Sequence, residues 1–161
     1  MRHGEAAPPG SEGGDRGRPL TQRGTAEVAA AARGLAALGV RLDRLLTSPL
    51  RRALETSRLL AAAIEGPEPE PSPVLDGGSS AEAILAALGP QSGAGARLGV
   101  VGHQPVLGQL LTLAIAGVAS GGAALGTASV ARIDFEGCPR AGAGRLRWLL
   151  DAGQLARLAA G

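Results

Sequence analysis

The sequence predicts an α/β layered fold, with a largely parallel central sheet and helices on both faces. Short apolar runs at Leu42 to Thr47 and Leu98 to Val101 are bounded by turn or cap residues, as buried strands are. Helical patterns lie between the runs, and this alternation is typical of a parallel sheet. A chain of 161 residues suits one domain, 1–161, built around one core.

Three helices are predicted from apolar spacing and from terminal residues. Thr21 is the predicted cap of the first helix, which ends at Gly39. Ser48 is the predicted cap of the second helix, with Pro49 in its first position. A third helix should begin near Pro105 and bury four residues. These are Leu107, Leu110, Leu111 and Ala114.

The remaining segments are predicted to be strands and connections. Ser129 to Phe135 and Arg145 to Leu150 resemble two further strands that a Gly-rich turn separates. Gly66 to Pro73 alternates proline with acidic residues, which indicates an extended surface connection rather than a domain boundary. Gly10 to Gly17 is predicted to be a flexible loop, and a lid near His3 is the alternative.

Composition excludes several classes of partner. The net charge is +2, and one Trp and one Phe are the only aromatic residues, so we expect no nucleic acid partner. Leu98 to Ala131 carries no charged residue, but its polar residues and a Ser-Gly-Gly break favour a buried helix over a membrane span. Cys138 is the single cysteine, which excludes an internal disulfide and suits the reducing cytoplasm.

The chain has two histidines, and both lie beside glycine. They occur in Arg2-His3-Gly4-Glu5 and in Val101-Gly102-His103-Gln104-Pro105. A histidine beside glycine at a strand end can face a crevice where backbone and ligand approach closely. A lone histidine is more often an incidental surface or core residue. Here the neighbouring residues favour a site.

Arginines near the predicted helix starts indicate a site for an anion, with phosphate as the natural candidate. Arg52 lies one turn into its helix and can reach back past the cap. Arg51 is rotated by about 100° on a helix and can pair with Glu55 instead. Arg52 and Arg2 together offer two guanidinium forks to phosphoryl oxygens, and Arg18 is a weaker third candidate. The alternative for each arginine is a solvated surface position.

Four motifs occur in a fixed order along the chain. They are Arg2-His3-Gly4-Glu5, Arg18-Pro19-Leu20-Thr21-Gln22-Arg23-Gly24, Thr47-Ser48-Pro49-Leu50-Arg51-Arg52-Ala53-Leu54-Glu55-Thr56 and Val101-Gly102-His103-Gln104-Pro105. In this order they resemble the blocks of the histidine phosphatase superfamily (phosphoglycerate mutase-like), and most closely its short SixA-type branch of phosphohistidine phosphatases. The resemblance covers most of the chain, including Trp148.

The resemblance implies a covalent mechanism. His3 would be the nucleophile that forms a phosphohistidine, while Arg2, Arg52 and His103 hold the phosphoryl oxygens. Nearby guanidinium charges would keep the attacking imidazole neutral, which this chemistry needs. No metal or other cofactor is required, and no residue cluster has the spacing of metal ligands.

The presence or absence of an acidic proton donor for the leaving group indicates the class of substrate. Larger family members that act on sugar phosphates carry an acidic residue in a longer insert, and that insert looks absent here. An imidazole leaves more easily than an alkoxide without an acid, so the resemblance favours phosphohistidine on a partner protein. Asp76 or Glu82 could supply a proton, although a helix cap and a solvated helix face are the alternatives. Glu5 is interpreted as orienting an arginine.

Two other functions stay open. One is a small-molecule phosphomonoesterase of the same superfamily, and the other is a catalytically silent phosphate-binding regulator. The sequence does not identify the partner protein. We expect a cytoplasmic protein, with a monomer as the working assumption.

The first residues depart from the family pattern. Family members carry a short apolar strand before the motif that holds the nucleophile, whereas Met1 directly precedes Arg2 here. We expect either a start upstream of Met1 or a fold that lacks its first core strand, and we favour the upstream start. A chain beginning at Met1 should have lowered stability and a free α-amino group close to His3.

Overall fold

The structure is a computed structural model that describes residues 1–10, 14–91, 95–120 and 123–160. The helices are α1 Gly14–Gly17, α2 Gln22–Ala37, α3 Arg51–Ile64, α4 Ala81–Leu88, α5 Val106–Ala116 and α6 Ala152–Leu158. The strands are β1 Arg44–Thr47, β2 Glu70–Pro71, β3 Leu98–Val101, β4 Val130–Phe135 and β5 Gly144–Leu150. The predicted alternation of strands and helices is confirmed.

The strands form a parallel sheet of order β2-β1-β3 and an antiparallel pair, β4 with β5. In the parallel sheet, Arg44 lies opposite Leu98, and Thr47 lies opposite Val101. Side chains of successive strand residues face opposite sides of a sheet. Accordingly, Leu45 packs in one buried cluster with α2 and α3, while Leu46 packs in the other with α4 and α5. Helices therefore cover both faces, as predicted.

The first three residues lie between the end of β3 and the start of β4. Arg2 forms a parallel bridge with Gly102, and the His3 amide donates to the Gly102 carbonyl at 3.1 Å. On the other side, the Arg2 amide donates to the Ser129 carbonyl at 3.0 Å. This short segment therefore connects the parallel sheet to the antiparallel pair.

The Met1 ammonium group is buried beside β3. It donates to the Val100 carbonyl at 2.7 Å, and burial lowers its pKa to about 5. The α-amino group is therefore hydrogen-bonded rather than free, and it lies at the opposite end of this three-residue segment from His3, whose amide pairs with Gly102.

Most predicted helices agree with the structure, and one start does not. Thr21 caps α2 by accepting from the Gly24 amide, and the four predicted residues of α5 are buried. The prediction that Ser48 caps the second helix with Pro49 in first position is wrong, because α3 begins at Arg51 after Leu50. The Ser48 hydroxyl instead lies 2.7 Å from Nε2 of His103.

The segment from Gly66 to Pro73 is more ordered than a plain connection. Its residues Glu70 and Pro71 form β2, which pairs in parallel with the end of β1. Proline is tolerated on such an edge because its missing N–H is not needed there.

Among the described helices, none combines the length and apolar character needed to cross a membrane.

Gly24 lets the start of α2 approach the segment that follows His3. A Cβ at Gly24 would lie 2.1 Å from the Glu5 carbonyl oxygen. Gly24→Ala should therefore lower the free energy of unfolding by about 1–3 kcal/mol, the usual cost of overpacking. Urea denaturation measures this change.

The matched control is Gly153→Ala, which alters an exposed glycine in the first turn of α6. Its nearest neighbour would be a capping side-chain oxygen at 3.3 Å. Because alanine favours helix, the free energy of unfolding should change by less than about 1 kcal/mol. Equal losses in both variants would contradict the close-approach argument.

Candidate active site

The candidate site lies where parallel segments end side by side. His3 follows the N-terminal segment that pairs with Gly102, and His103 follows β3. Parallel pairing in register brings the two side chains together. Their ring centroids are 5.0 Å apart, with the ring planes tilted by 57°. The structure therefore brings together the two histidines predicted to share a site.

His3 has a defined protonation pattern. Its Nδ1 lies 2.7 Å from the Gly4 carbonyl oxygen. Because a carbonyl oxygen only accepts, Nδ1 carries the proton and the neutral ring keeps a lone pair on Nε2. Burial lowers the pKa of His3 to about 4, and the charges of Arg52, Arg2 and Arg18 act in the same direction. His3 is therefore neutral at physiological pH.

His103 is more deeply buried, with 5% of its surface exposed. Its Nε2 lies 2.7 Å from the Ser48 hydroxyl, and its Nδ1 has no partner among the described residues. Burial lowers the pKa of His103 to about 4, helped by the nearby His3 and Arg52. The carboxylates of Asp15 and Asp76 act against this shift.

The predicted arginines surround the rings in different ways. Arg52, 7% exposed, donates from Nη1 to the Asp15 carbonyl at 2.8 Å and from Nη2 to the Asp15 carboxylate at 3.2 Å. Arg2 donates from Nη1 to the Leu125 carbonyl at 2.7 Å. Arg18 donates from Nε to the Ala7 carbonyl at 2.6 Å. All three charges act on the pKa of His3.

Asp15 belongs to the site although sequence reasoning missed it. Its carboxylate accepts from Arg18 at 2.8 Å as well as from Arg52, so one anion joins two cationic groups. The hydrogen bond from Arg18 lowers the pKa of Asp15. Nothing in the Gly-rich segment around Asp15 signals this contact. The prediction of a loop from Gly10 to Gly17 is wrong for Gly14–Gly17, which form α1, and residues 11–13 lie outside the described ranges.

The other acidic candidates lie in different surroundings. Asp76 is half-buried and accepts from the Gly78 amide at 2.9 Å, close enough to His103 to affect its pKa. Glu82 is exposed in the first turn of α4. Glu5 accepts from the Thr21 hydroxyl at 2.9 Å and lies 3.7 Å from Arg23, an exposed arginine. Glu5 therefore orients a surface arginine rather than one beside the histidines.

Two residues of α3 hold the site segments in place. The Thr56 hydroxyl donates to the Arg52 carbonyl at 2.7 Å and accepts from the Gly4 amide at 3.1 Å. Glu55 accepts from the Leu20 amide at 2.7 Å and pairs with Arg51, the partner expected from their spacing. These bonds tie the backbone beside His3 to the helix that carries Arg52.

Buried donors without partners indicate what the site binds. Three buried side-chain polar atoms lack a hydrogen-bond partner within the described ranges, and two are Arg2 Nε and His103 Nδ1. Unpaired buried polar atoms are costly unless a ligand or water satisfies them. Cationic and neutral donors grouped around a carboxylate are suited to a tetrahedral oxyanion. Across the described part of the chain, no three His, Cys, Asp or Glu side chains are grouped as metal ligands would be.

The structure is thus an α/β fold with two neighbouring histidines and nearby arginines at the carboxyl ends of parallel strands. The sequence profile of the Histidine phosphatase superfamily (branch 1) matches residues 1–76. The profile match over these residues and the similarity to a solved SixA structure support the histidine phosphatase superfamily and its SixA-type branch.

Three individual proteins are similar to this chain. An uncharacterized protein of Picosynechococcus sp. is 42% identical over 110 residues, which cover 68% of this chain and 67% of that protein. The structure of the protein histidine phosphatase SixA with tungstate is 27% identical, with a TM-score of 0.82 and coverage of 96% of both chains. A crystal structure from Agrobacterium tumefaciens is 24% identical, has a TM-score of 0.76, covers 93% and 94% of the two chains, and shows the fold alone.

Asp15 should compete with anions for Arg52 and Arg18. Asp15→Ala is expected to tighten the binding of tungstate by up to about fivefold, since exposed ion pairs contribute about 0.2–1 kcal/mol. Isothermal titration of wild type and variant measures the dissociation constants.

Asp43→Ala is the matched control. Asp43 is also an exposed aspartate paired with an arginine, Arg97, but it lies at the other end of β1. The Asp43→Ala substitution removes the same charge as Asp15→Ala and should leave the dissociation constant for tungstate unchanged. Equal tightening in both variants would show that net charge, and not the contact with Arg52, controls the affinity.

Proposed function

We propose that this protein is a metal-independent phosphatase that removes the phosphoryl group from phosphohistidine on a partner protein. The observation that carries the proposal is the His3 ring, neutral and with a bare Nε2, 5.0 Å from His103 and among arginines. A neutral imidazole with a free lone pair is a competent nucleophile. Positioning and charge stabilisation supply most of the catalysis in phosphoryl transfer.

In the first step, His3 Nε2 attacks phosphorus and forms a P–N bond while the P–N bond of the substrate breaks. The electron pair of that bond leaves with the substrate imidazole. Arg2, Arg52 and His103 would bind the phosphoryl oxygens, whose charge spreads in a loose transition state. In the second step, water attacks phosphorus, the bond to His3 breaks, and inorganic phosphate leaves.

The acidic residues near the rings favour a P–N substrate. Asp15 is held ionised by Arg18, so its carboxylate is a poor proton donor at neutral pH. Asp76 is the other carboxylate whose charge acts on the pKa of His103, and it accepts from the Gly78 amide. A phosphohistidine whose second ring nitrogen is protonated releases a neutral imidazole, with a conjugate-acid pKa of about 6.5. Such a leaving group needs no enzymatic acid, whereas an alkoxide does.

Similarity to SixA supports this choice of substrate. The SixA structure, described as a protein histidine phosphatase, matches this chain over 96% of its length. It was determined with tungstate, an oxyanion of the kind that these arginines suit. The alternative, a small-molecule phosphomonoesterase, shares the same pocket and differs in the leaving group.

His3→Ala should abolish hydrolysis and covalent labelling. Incubation of wild type with a ³²P-phosphohistidine protein should give an alkali-stable, acid-labile label on the enzyme, and the variant should give none. Tungstate binding by the variant checks that the arginines remain in place.

The substrate comparison uses the same wild-type enzyme. We expect kcat/KM for the phosphohistidine protein to exceed that for sugar and nucleotide monoesters by at least about tenfold, because those substrates need an acid. Faster hydrolysis of monoesters would favour the phosphomonoesterase. Equal labelling of wild type and His3→Ala would overturn the proposed mechanism.

The histidine pKa values predict a pH dependence of stability. Both folded pKa values are about 4, below the ordinary value of 6.5, so the unfolded chain binds protons first as pH falls. The histidine contribution to the free energy of unfolding should therefore decrease as pH is lowered from 6.5 to 4. The buried Met1 amino group, whose pKa is lowered from 8.0 to about 5, adds a loss of the same sign that begins at higher pH. Urea denaturation across this range measures the combined loss, to which the two rings contribute on the order of a few kcal/mol.

The ring protons provide the direct check. The chemical shifts of the C2 protons of both histidines should titrate by NMR with midpoints near pH 4. Both rings should be neutral at pH 6. A midpoint near 6.5 for either ring would contradict the assigned burial and charge effects.

A further inference from the structure

The Ser48 hydroxyl has a role that helix capping does not explain. Ser48 is fully buried, and its Oγ lies 2.7 Å from Nε2 of His103. Because α3 begins at Arg51, the hydroxyl is not used as its N-cap. It accepts only from the Leu50 amide, at 3.2 Å, just before the helix. Ser48 is therefore free to bond the ring.

Hydrogen-bond accounting decides which partner donates. A serine hydroxyl has one hydrogen and two lone pairs, and the Leu50 amide uses one lone pair. If Nε2 of His103 donated to Ser48, two buried groups would lack a partner within the described ranges, the serine hydrogen and the lone pair on Nδ1. If Ser48 donates to Nε2, only the hydrogen on Nδ1 lacks a partner there. Each buried polar group left unpaired costs about 1–3 kcal/mol, so donation by Ser48 is favoured.

A donor at Nε2 places the ring proton on the other nitrogen. Since His103 is neutral at physiological pH, it carries one ring proton, and Nε2 must be bare to accept from Ser48. The proton is therefore on Nδ1, the buried atom that has no partner among the described residues. His103 then presents a neutral N–H donor.

We infer that Ser48 is a positioning residue that holds His103 in the tautomer with the proton on Nδ1, so that His103 donates to an oxygen of the bound phosphoryl group. The use of that donor rests on the proposed function, whereas the tautomer does not. The two histidines then have complementary states. His3 uses Nδ1 to bond the Gly4 carbonyl and keeps a lone pair on Nε2, while His103 accepts at Nε2 and donates at Nδ1.

The tautomer can be read directly from ¹⁵N-labelled protein. With only two histidines in the chain, the His3→Ala spectrum assigns the His103 signals. At pH 7, long-range ¹H–¹⁵N spectra of wild type should show protonated Nδ1 and bare Nε2 for His103. A protonated Nε2 in wild type would overturn the inference, without any variant having to fold.

Three variants test the role of the hydroxyl. Ser48→Ala should shift His103 towards the Nε2-protonated tautomer and weaken tungstate binding and kcat/KM by about five- to tenfold, the effect of one neutral hydrogen bond. Ser48→Thr keeps the hydroxyl and should restore both. Ser57→Ala is the matched control, because Ser57 is equally buried on α3 but donates to the Ala53 carbonyl. It should retain the wild-type tautomer and tungstate affinity.

The outcomes separate this inference from the proposed function. A wild-type tautomer and unchanged tungstate affinity in Ser48→Ala would overturn the inference. An Nδ1-protonated ring with Ser48-dependent tungstate binding, but no hydrolysis of phosphohistidine protein, would support the inference and overturn the proposed function. Equal losses in Ser57→Ala and Ser48→Ala would assign the effect to general packing and overturn the positioning role.

Discussion

Buried guanidinium groups beside two imidazoles are compatible only if the imidazoles are neutral. The rings are 5.0 Å apart, and each is exposed to the positive field of Arg52. Burial further disfavours the charged form of each ring. Only a neutral ring has two tautomers, with the proton on one nitrogen and a lone pair on the other. A doubly protonated ring has no lone pair on nitrogen. The proposed nucleophile, His3, and the proposed donor, His103, thus depend on the same electrostatic constraint.

The site also needs anionic charge to balance its arginines. In the structure Asp15 provides it, through one carboxylate shared between Arg52 and Arg18. This arrangement holds the guanidinium groups in place in the free protein, and an incoming anion has to displace the Asp15 carboxylate from them. The ion pair between Asp15 and Arg52 also connects α1, a helix of four residues, to α3.

Sequence patterns predicted the local structure well and the contacts less completely. The spacing of apolar residues and the Thr21 cap correctly predicted α2, and the runs at Leu42 and Leu98 correctly predicted β1 and β3. The predicted cap at Ser48 was wrong, because a serine before proline suits both a helix start and a turn, and only the ring 55 residues away decides between them. Asp15 was missed for the same reason, since its partners Arg52 and Arg18 are chosen by the folded chain. The two histidines could be paired in advance because their motifs, and not their surroundings, identified them.

The hydrogen bond between His3 and Gly102 has a consequence for how the molecule assembles. Its partners are a residue near the start of the sequence and a residue directly after β3, nearly one hundred positions later, so a nascent chain lacks the pocket until β3 and Gly102 have been synthesised. Contacts this remote in sequence close late and slowly compared with local helices. Under the proposed function, an oxyanion binds only the completed fold and adds its binding free energy to that state alone. Ligand in solution would thereby stabilise the folded protein against partial unfolding, but it would not stabilise partly folded states that lack the site.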